Sequence, residues 1–409
     1  MREMKGEKNR MKSFSKRLSL LLVVLLAVSM LAGCASEPAA TETSGGGEAA
    51  EPAAEPIKIG YVGALSGETA VWGQAGLNGM QLTAKEINEA GGILGRPVEI
   101  IGLDGKGDPI DSVNAYKKLV SEGVVAVVGT NFSSCNIPMA AVADQMEVPA
   151  IATAASNPLV TVDENGNLHP YSFRIGFIDP FQGKVLASFA MEELGAKKAA
   201  VIMDLNSDYS AGVTEFFVEG FEAKGGEVLT IVEAQSGQND FRAQLSKIAP
   251  LEPDVILVPW IYKDVALIAN QARELGIEAT FLGADGWDSK ELLTMAGASL
   301  EGCYYTSQPS FANPITKPYY DAYVAEFDGL VPETEALFGH DGLYWIKDAL
   351  ERAGEVDIAK LRDELEVTTG FAGLLGELTV DPATHNPDKS VSVYQIKDME
   401  QTFVGEFRP

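Results

Sequence analysis

The sequence predicts an α/β protein built as two lobes, each a doubly wound parallel sheet with helices on both faces. Three observations carry this. Continuous apolar, β-rich runs alternate with helically spaced segments, the pattern of parallel strands joined by crossover helices. The alternation occurs twice with a shared layout, as a weak structural repeat rather than a sequence repeat. The foldable part, Ile57 to Pro409, is too long for one compact core and suits two lobes.

The first series opens with a strand at Ile57–Leu65. A helix over Gln74–Ala90 follows, with Leu77, Met80, Leu82, Ala84 and Ile87 at helical spacing. Strand Val98–Leu103, helix Pro109–Glu122 and strand Val124–Gly129 come next. Pro109 suits a first helical turn, and Asp108 suits the cap before it. Helix Asn136–Met146 and strand Val148–Thr153 complete the series. Phe173–Gly176 leads into the second: helix Phe181–Leu194, strand Ala199–Met203, helix Ala211–Lys224, strand Val228–Glu233, helix Phe241–Ile248, strand Val255–Pro259, helix Asp264–Leu275 and strand Thr280–Gly283. The tail then breaks the pattern. It predicts strand Cys303–Ser307, helices Pro314–Phe327, Phe338–Arg352 and Ile358–Leu365, a short strand Leu378–Val380, and a hairpin of Val391–Ile396 with Thr402–Phe407 around Lys397–Glu400. A chain that adds elements after two completed lobes crosses between them more than once, and such crossings make a hinge.

The N-terminus is an address. A basic start (Lys12, Lys16, Arg17) precedes an apolar run from Leu18 to Met30, closed by Leu31-Ala32-Gly33-Cys34. The run is short for a bilayer span, which needs about 20 apolar residues. Small residues before a cysteine in this order read as the lipoprotein form of a bacterial export signal. Residues 1–33 are then removed, and a diacylated Cys34 becomes the first mature residue, anchored to a membrane outside the cytoplasm. Residues 34–56 form a flexible tether: after Cys34 they hold Ala, Glu, Gly, Pro, Ser and Thr with no large apolar side chain.

The formal charge is −27, and loss of the signal, with seven Lys/Arg and two Asp/Glu, takes it to −32. Nucleic acid and anionic lipid surfaces are poor partners for such a chain. Besides Cys34 only Cys135 and Cys303 remain, too few for a disulfide framework, and the sequence leaves their pairing open. His169, His340 and His385 are scattered, and no HExxH, CxxC, Walker loop or GxSxG is present, so the usual enzyme signatures are missing. Asp204-x-Asn206-x-Asp208 with Glu215 mimics an EF-hand loop, but Tyr209 stands where the turn needs glycine and a strand precedes it. A strand-end loop capping the next helix accounts for these residues better. No metal or cofactor is expected.

Ligands of open α/β sheets bind beyond the carboxyl ends of strands. Three such ends stand out in the first lobe: Leu65-Ser66-Gly67 with Trp72-Gly73, then Gly129–Ser134, then Ala152–Pro158. The last two are rich in hydroxyls and small residues. A helix start there offers free N–H groups to a carboxylate, with Ser133 and Ser134 adding hydroxyls, although helix capping alone also accounts for any single serine. In the second lobe the matching ends carry Tyr209, Trp260, Tyr262 and Asp285, with Asp179 at the entry. An acid plus aromatics opposite a carboxylate-binding helix start suits a small zwitterion. For each aromatic taken alone, a place in the lobe core serves equally.

Six segments then match a known family in order: IKIGYVGALSG (57–67), INEAGGILGRPVEII (87–101), DGKGDP (104–109), VVGTNFSSCNIP (128–138), VPAIATAASNP (148–158) and FLGADGWD (281–288). Over nearly the whole mature chain the sequence resembles the leucine/isoleucine/valine-binding proteins, solute-binding proteins of ABC transporters. The resemblance implies a type I periplasmic-binding fold with a three-crossing hinge near residues 175, 308 and 384. One lobe then comprises 57–174 and 309–384, the other 175–308 and 385–409. It implies that Ser133 binds the ligand α-carboxylate and that Ala154, Ala155 and Ser156 offer backbone groups and a hydroxyl to carboxylate and ammonium. Asp285 matches the acid that holds the ammonium, Trp72 a wall of the side-chain pocket, and Asp179 and Tyr209 second-lobe contacts. A family aromatic falls on Ile261 in the simplest register, with Trp260 or Tyr262 as replacements. A disulfide of some relatives falls on Gly107 and Phe132 and is therefore absent. The implied function is capture of an amino acid, branched-chain or otherwise apolar or aromatic, for delivery to ABC permease subunits; a monomer is expected. The alternatives are a sensory module presenting an amide, urea or aromatic acid to a receptor, and an exported hydrolase.

Overall fold

The computed structural model describes residues 54–311 and 314–408, so the lipobox, Cys34 and most of the tether lie outside the described part. Among the described residues no helix is long and apolar enough to cross a membrane.

The first sheet uses β1 (Ile57–Gly63), β2 (Val98–Asp104), β3 (Val127–Val128), β4 (Ala150–Ala152) and β5 (Ser172–Arg174), with α1 (Ala70–Glu89), α2 (Pro109–Ser121) and α3 (Ser133–Met146) between them. All pairs are parallel, in the order β2-β1-β3-β4-β5. The expected cap of α2 is present: Asp108 Oδ1 accepts from the amides of Ile110 (2.8 Å) and Asp111 (2.9 Å), with Pro109 in the first turn. Two expectations are adjusted. Helix α3 starts at Ser133 rather than Asn136, so its free N–H groups fall on the serines. Ser172–Arg174 does not open the second series but pairs with β4 as the edge strand of the first sheet.

The second sheet is built from β6 (Lys198–Asp204), β7 (Glu227–Ala234), β8 (Val255–Leu257), β9 (Thr280–Gly283) and β10 (Tyr304–Ser307). Helices α4 (Asp179–Glu192), α5 (Asp208–Ala223), α6 (Arg242–Ile248), α7 (Tyr262–Glu274) and α8 (Lys290–Ala296) accompany them. Helix α8 is absent from the sequence reading; the Ser289 hydroxyl caps it by accepting from Glu291 N (3.2 Å).

Helices α9 (Lys317–Glu326), α10 (Glu335–Ala353) and α11 (Ile358–Glu366) return to the first lobe, with a small hairpin of β11 (Phe371–Gly373) and β12 (Gly376–Leu378). Their apolar faces share one core with β1 and α1, through Tyr323, Leu337, Trp345 and Leu365. The crossing of α1 and α10 is close because of glycine. A Cβ on Gly79 would stand 2.3 Å from Ala336 O, and one on Gly339 would stand 2.3 Å from Gly76 O. The chain ends on the second sheet with β13 (Val391–Lys397) and β14 (Glu400–Phe407), giving the order β14-β13-β10-β9-β8-β6-β7. Their tight turn holds Asp398 and Met399 at φ 53° and 60°, the left-handed geometry of two-residue hairpins. Among the described residues of this sheet, the β10–β13 and β13–β14 pairings are antiparallel and the rest parallel.

Each sheet has a point where strand order reverses: β1 lies between β2 and β3, and β6 between β7 and β8. Ligand crevices form at such points, beyond the carboxyl ends. The loops after β1, β3 and β4 meet those after β6, β8 and β9 across one cleft.

Candidate functional site

The cleft holds a cavity that opens to solvent at its mouth. Six of the expected residues line it: Trp72, Ser133, Ser134, Ala154, Tyr209 and Asp285. Asn131, Phe132, Ser207, Ile261, Gly286 and Glu335 line it as well.

On the first lobe, Asn136 shapes the loop. Its amide donates to Thr130 O (2.8 Å) and Phe132 O (3.0 Å), folding the chain back so that α3 begins at the cavity. No side chain caps this helix. The Ser133 hydroxyl accepts from Asn157 N (3.1 Å), which leaves its proton to donate into the cavity. Free first-turn amides and hydroxyl donors together make an anion-binding surface.

On the second lobe, Asp285 is partly exposed to the cavity and clamped by Gln182. The Gln182 amide donates to Asp285 Oδ1 (3.0 Å), while its Oε1 accepts from Asp285 N (3.0 Å) and from the Thr306 hydroxyl (3.0 Å). Tyr209 OH accepts from Gly286 N (2.9 Å), which fixes its ring beside the acid. Burial pushes the Asp285 carboxyl up to about 7, with Asp288 adding to the rise and hydrogen bonds from Gln182 and Tyr209 opposing it. Exposure here is to a narrow cleft, not to bulk water, so the carboxylate gains little hydration. A cation entering the cavity would stabilise its charged form.

Five expected residues do not line the cavity. Trp260 is a correction: it is core, not wall. Its indole N–H donates inward to Ile202 O (2.6 Å), and its ring meets Phe241 edge-on at 5.4 Å. Ile261 takes the cavity position instead. Tyr262 is fully buried; its ring meets Trp72 at 5.0 Å, and its hydroxyl donates to Glu68 O (3.1 Å) across the cleft. Ala155 packs behind the wall with Ala152 and Val160. Ser156 accepts from Asp179 N at its carbonyl (2.8 Å), and both side chains are buried. Burial holds the Asp179 carboxyl well above the carboxylate range, against the pull of Ser156 and of fully buried Arg174.

Other expectations can be placed. Gly107 and Phe132 lie side by side, a Cβ on Gly107 meeting the Phe132 ring at 3.3 Å, and neither position carries a cysteine. Cys135 and Cys303 are both buried and free. Asp204 Oδ1 accepts from Asn206 N (3.0 Å) and Ser236 N (3.1 Å), as a strand-end loop requires. Gln182 and Glu335 were missed. Gln182 lies on the cavity side of α4 with no strand-end signal. Glu335 starts a helix far along the chain, and only the α1–α10 crossing brings it here.

Two lobes closing on a polar, aromatic-walled cavity at paired switch points define a cleft-type solute-binding protein. The chain matches the profile of the periplasmic binding protein family over residues 56–401 and belongs to that family. It is 28% identical over 357 residues to the leucine-, isoleucine-, valine-, threonine- and alanine-binding protein of Pseudomonas aeruginosa, covering 86% of this chain and 93% of that one. The structure of a leucine-binding protein from Thermotoga maritima superposes with a TM-score of 0.79 at 33% identity, covering 86% of this chain and 99% of the other. A branched-chain amino-acid transporter substrate-binding protein from Streptococcus pneumoniae, solved with isoleucine, gives 0.79 at 30% identity, covering 87% and 100%.

Proposed function

We propose that this protein captures a free α-amino acid outside the cytoplasm and delivers it to the transmembrane subunits of an ABC permease. One observation carries the reading: the uncapped start of α3, with Ser133 and Ser134, and the clamped Asp285 face one cavity. A zwitterion satisfies both poles. Its carboxylate meets free amides and hydroxyls, and its ammonium meets the acid. Trp72, Phe132 and Ile261 give its side chain an apolar wall.

The closed arrangement supports capture by closure. Asn157 Nδ2 donates to Asp208 O (2.8 Å) and Tyr262 OH to Glu68 O (3.1 Å), each bond joining first-lobe to second-lobe residues. We assign 57–174 and 309–384 to one lobe and 175–308 and 385–409 to the other, hinged where the chain passes between them. The protein works as a monomer, tethered through a lipidated Cys34, and the tether raises its effective concentration at the permease. Calorimetric titration of the mature chain with the common amino acids tests the reading. Saturable binding that weakens in both Ser133→Ala and Asp285→Ala supports it; no binding by any amino acid overturns it. A Cys34→Ser chain released from the membrane fraction supports the anchor, and one retained there overturns it.

A further inference from the structure

Glu335 opens α10, and an acid in a first helical turn ordinarily faces water. This one is 8% exposed, lines the cavity, and its Oε2 has no hydrogen-bond partner among the described residues. The close α1–α10 crossing at Gly79 and Gly339 holds it there. It shares the cavity lining with Trp72 and Phe132, whose rings lie 6.3 Å apart. Among the described residues no Lys, Arg or His lines this cavity. Burial pushes the Glu335 carboxyl well above the usual carboxylate range, and the charges of Glu333, Asp288 and Asp285 add to the rise. Glu333 is itself pushed up to about 7 by burial and Asp288, with Lys290 opposing. The Glu335 charge also acts on Tyr61 and Tyr262.

A buried carboxyl with an unsatisfied oxygen, acidic neighbours and aromatic faces is matched by a cation, which satisfies the oxygen, neutralises the cluster and stacks on the rings. We infer that the ligand's side chain has an apolar stem ending in a cationic nitrogen held by Glu335, making the ligand a basic amino acid; this rests on the reading of the cleft as an α-amino-acid site. The stem runs along Trp72 and Phe132, and the terminal nitrogen donates to Oε2.

Lysine and norleucine, which share a four-carbon stem and differ at the terminal nitrogen, test this on the full mature chain by calorimetry. Lysine binds about tenfold or more tighter than norleucine, and Glu335→Gln brings the two affinities together. Binding of lysine also releases more protons than binding of norleucine, read from titrations in buffers of different ionisation enthalpy, because the cation favours the ionised form of Glu335. This second readout uses the unsubstituted protein and holds if the variant fails to fold. Norleucine or leucine binding as tightly as lysine overturns the side-chain assignment and leaves the amino-acid site standing. Failure of every amino acid to bind overturns both.

Discussion

Replacing Asp285 by asparagine separates ligand recognition from stability. The amide keeps the shape of the carboxyl and its bond from Gln182, but it cannot pair with an ammonium. Removing one partner of a buried charge pair costs about 3–5 kcal/mol, so the Kd for the amino acid rises by about two to three decades or more. The free protein responds in the opposite sense. Its carboxyl titrates near 7 in the folded state against 3.8 in the reference state. Between those values the folded chain holds a proton that the unfolded chain has lost, so stability falls as pH rises through this window and levels off above it. The full difference corresponds to about 4 kcal/mol, an upper bound for one wall of an open cleft. Asp285→Asn removes that burden, so the ligand-free variant melts higher than wild type at pH 8 and differs little at pH 4. Calorimetry measures the first effect and thermal melts across pH the second. Unchanged affinity, or a melting difference independent of pH, would exclude this role for Asp285.

Other consequences follow from the same geometry. Ligand affinity of the wild type falls as pH drops below about 7, because Asp285 must ionise to hold the ammonium; titrations at pH 8 and pH 5.5 read this directly. Gln182→Leu frees Asp285 from its clamp and strands Thr306, raising Kd about tenfold or more, while Gln182→Glu keeps the bond from Thr306 but sets a second acid beside Asp285 and weakens binding too. Gly339→Ala drives a methyl into the Gly76 carbonyl, costs about 1–3 kcal/mol of stability, and displaces the start of α10 from the cavity. Trp260→Phe lowers the melting temperature, because it empties core volume and leaves Ile202 O unsatisfied, but changes Kd little.

Strand ends carried most of the site in the sequence. Alternating apolar runs and helices make the order of loops readable, and parallel sheets put all their ligand loops at one end, so Trp72, Ser133, Ser134, Ala154, Tyr209 and Asp285 meet as expected. Trp260 shows where that logic stops. Three consecutive positions, Trp260, Ile261 and Tyr262, follow β8, and composition does not say which one faces the cavity; the hydrogen bond to Ile202 O turns the indole inward. Gln182 and Glu335 were unreadable for another reason. Their placement depends on how helices pack, and for Glu335 on glycines that let two helices touch backbone to backbone. A glycine in a helix signals close approach without naming its partner.

In the proposed function the cleft reads both poles of an α-amino acid. Titration of the tightest-binding amino acid beside its N-acetyl derivative and its carboxamide tests this most directly. Each blocked form is expected to lose about a hundredfold or more in affinity, the N-acetyl form by denying Asp285 its ammonium and the carboxamide by denying the start of α3 its anion. Either blocked form binding as tightly as the parent would contradict it.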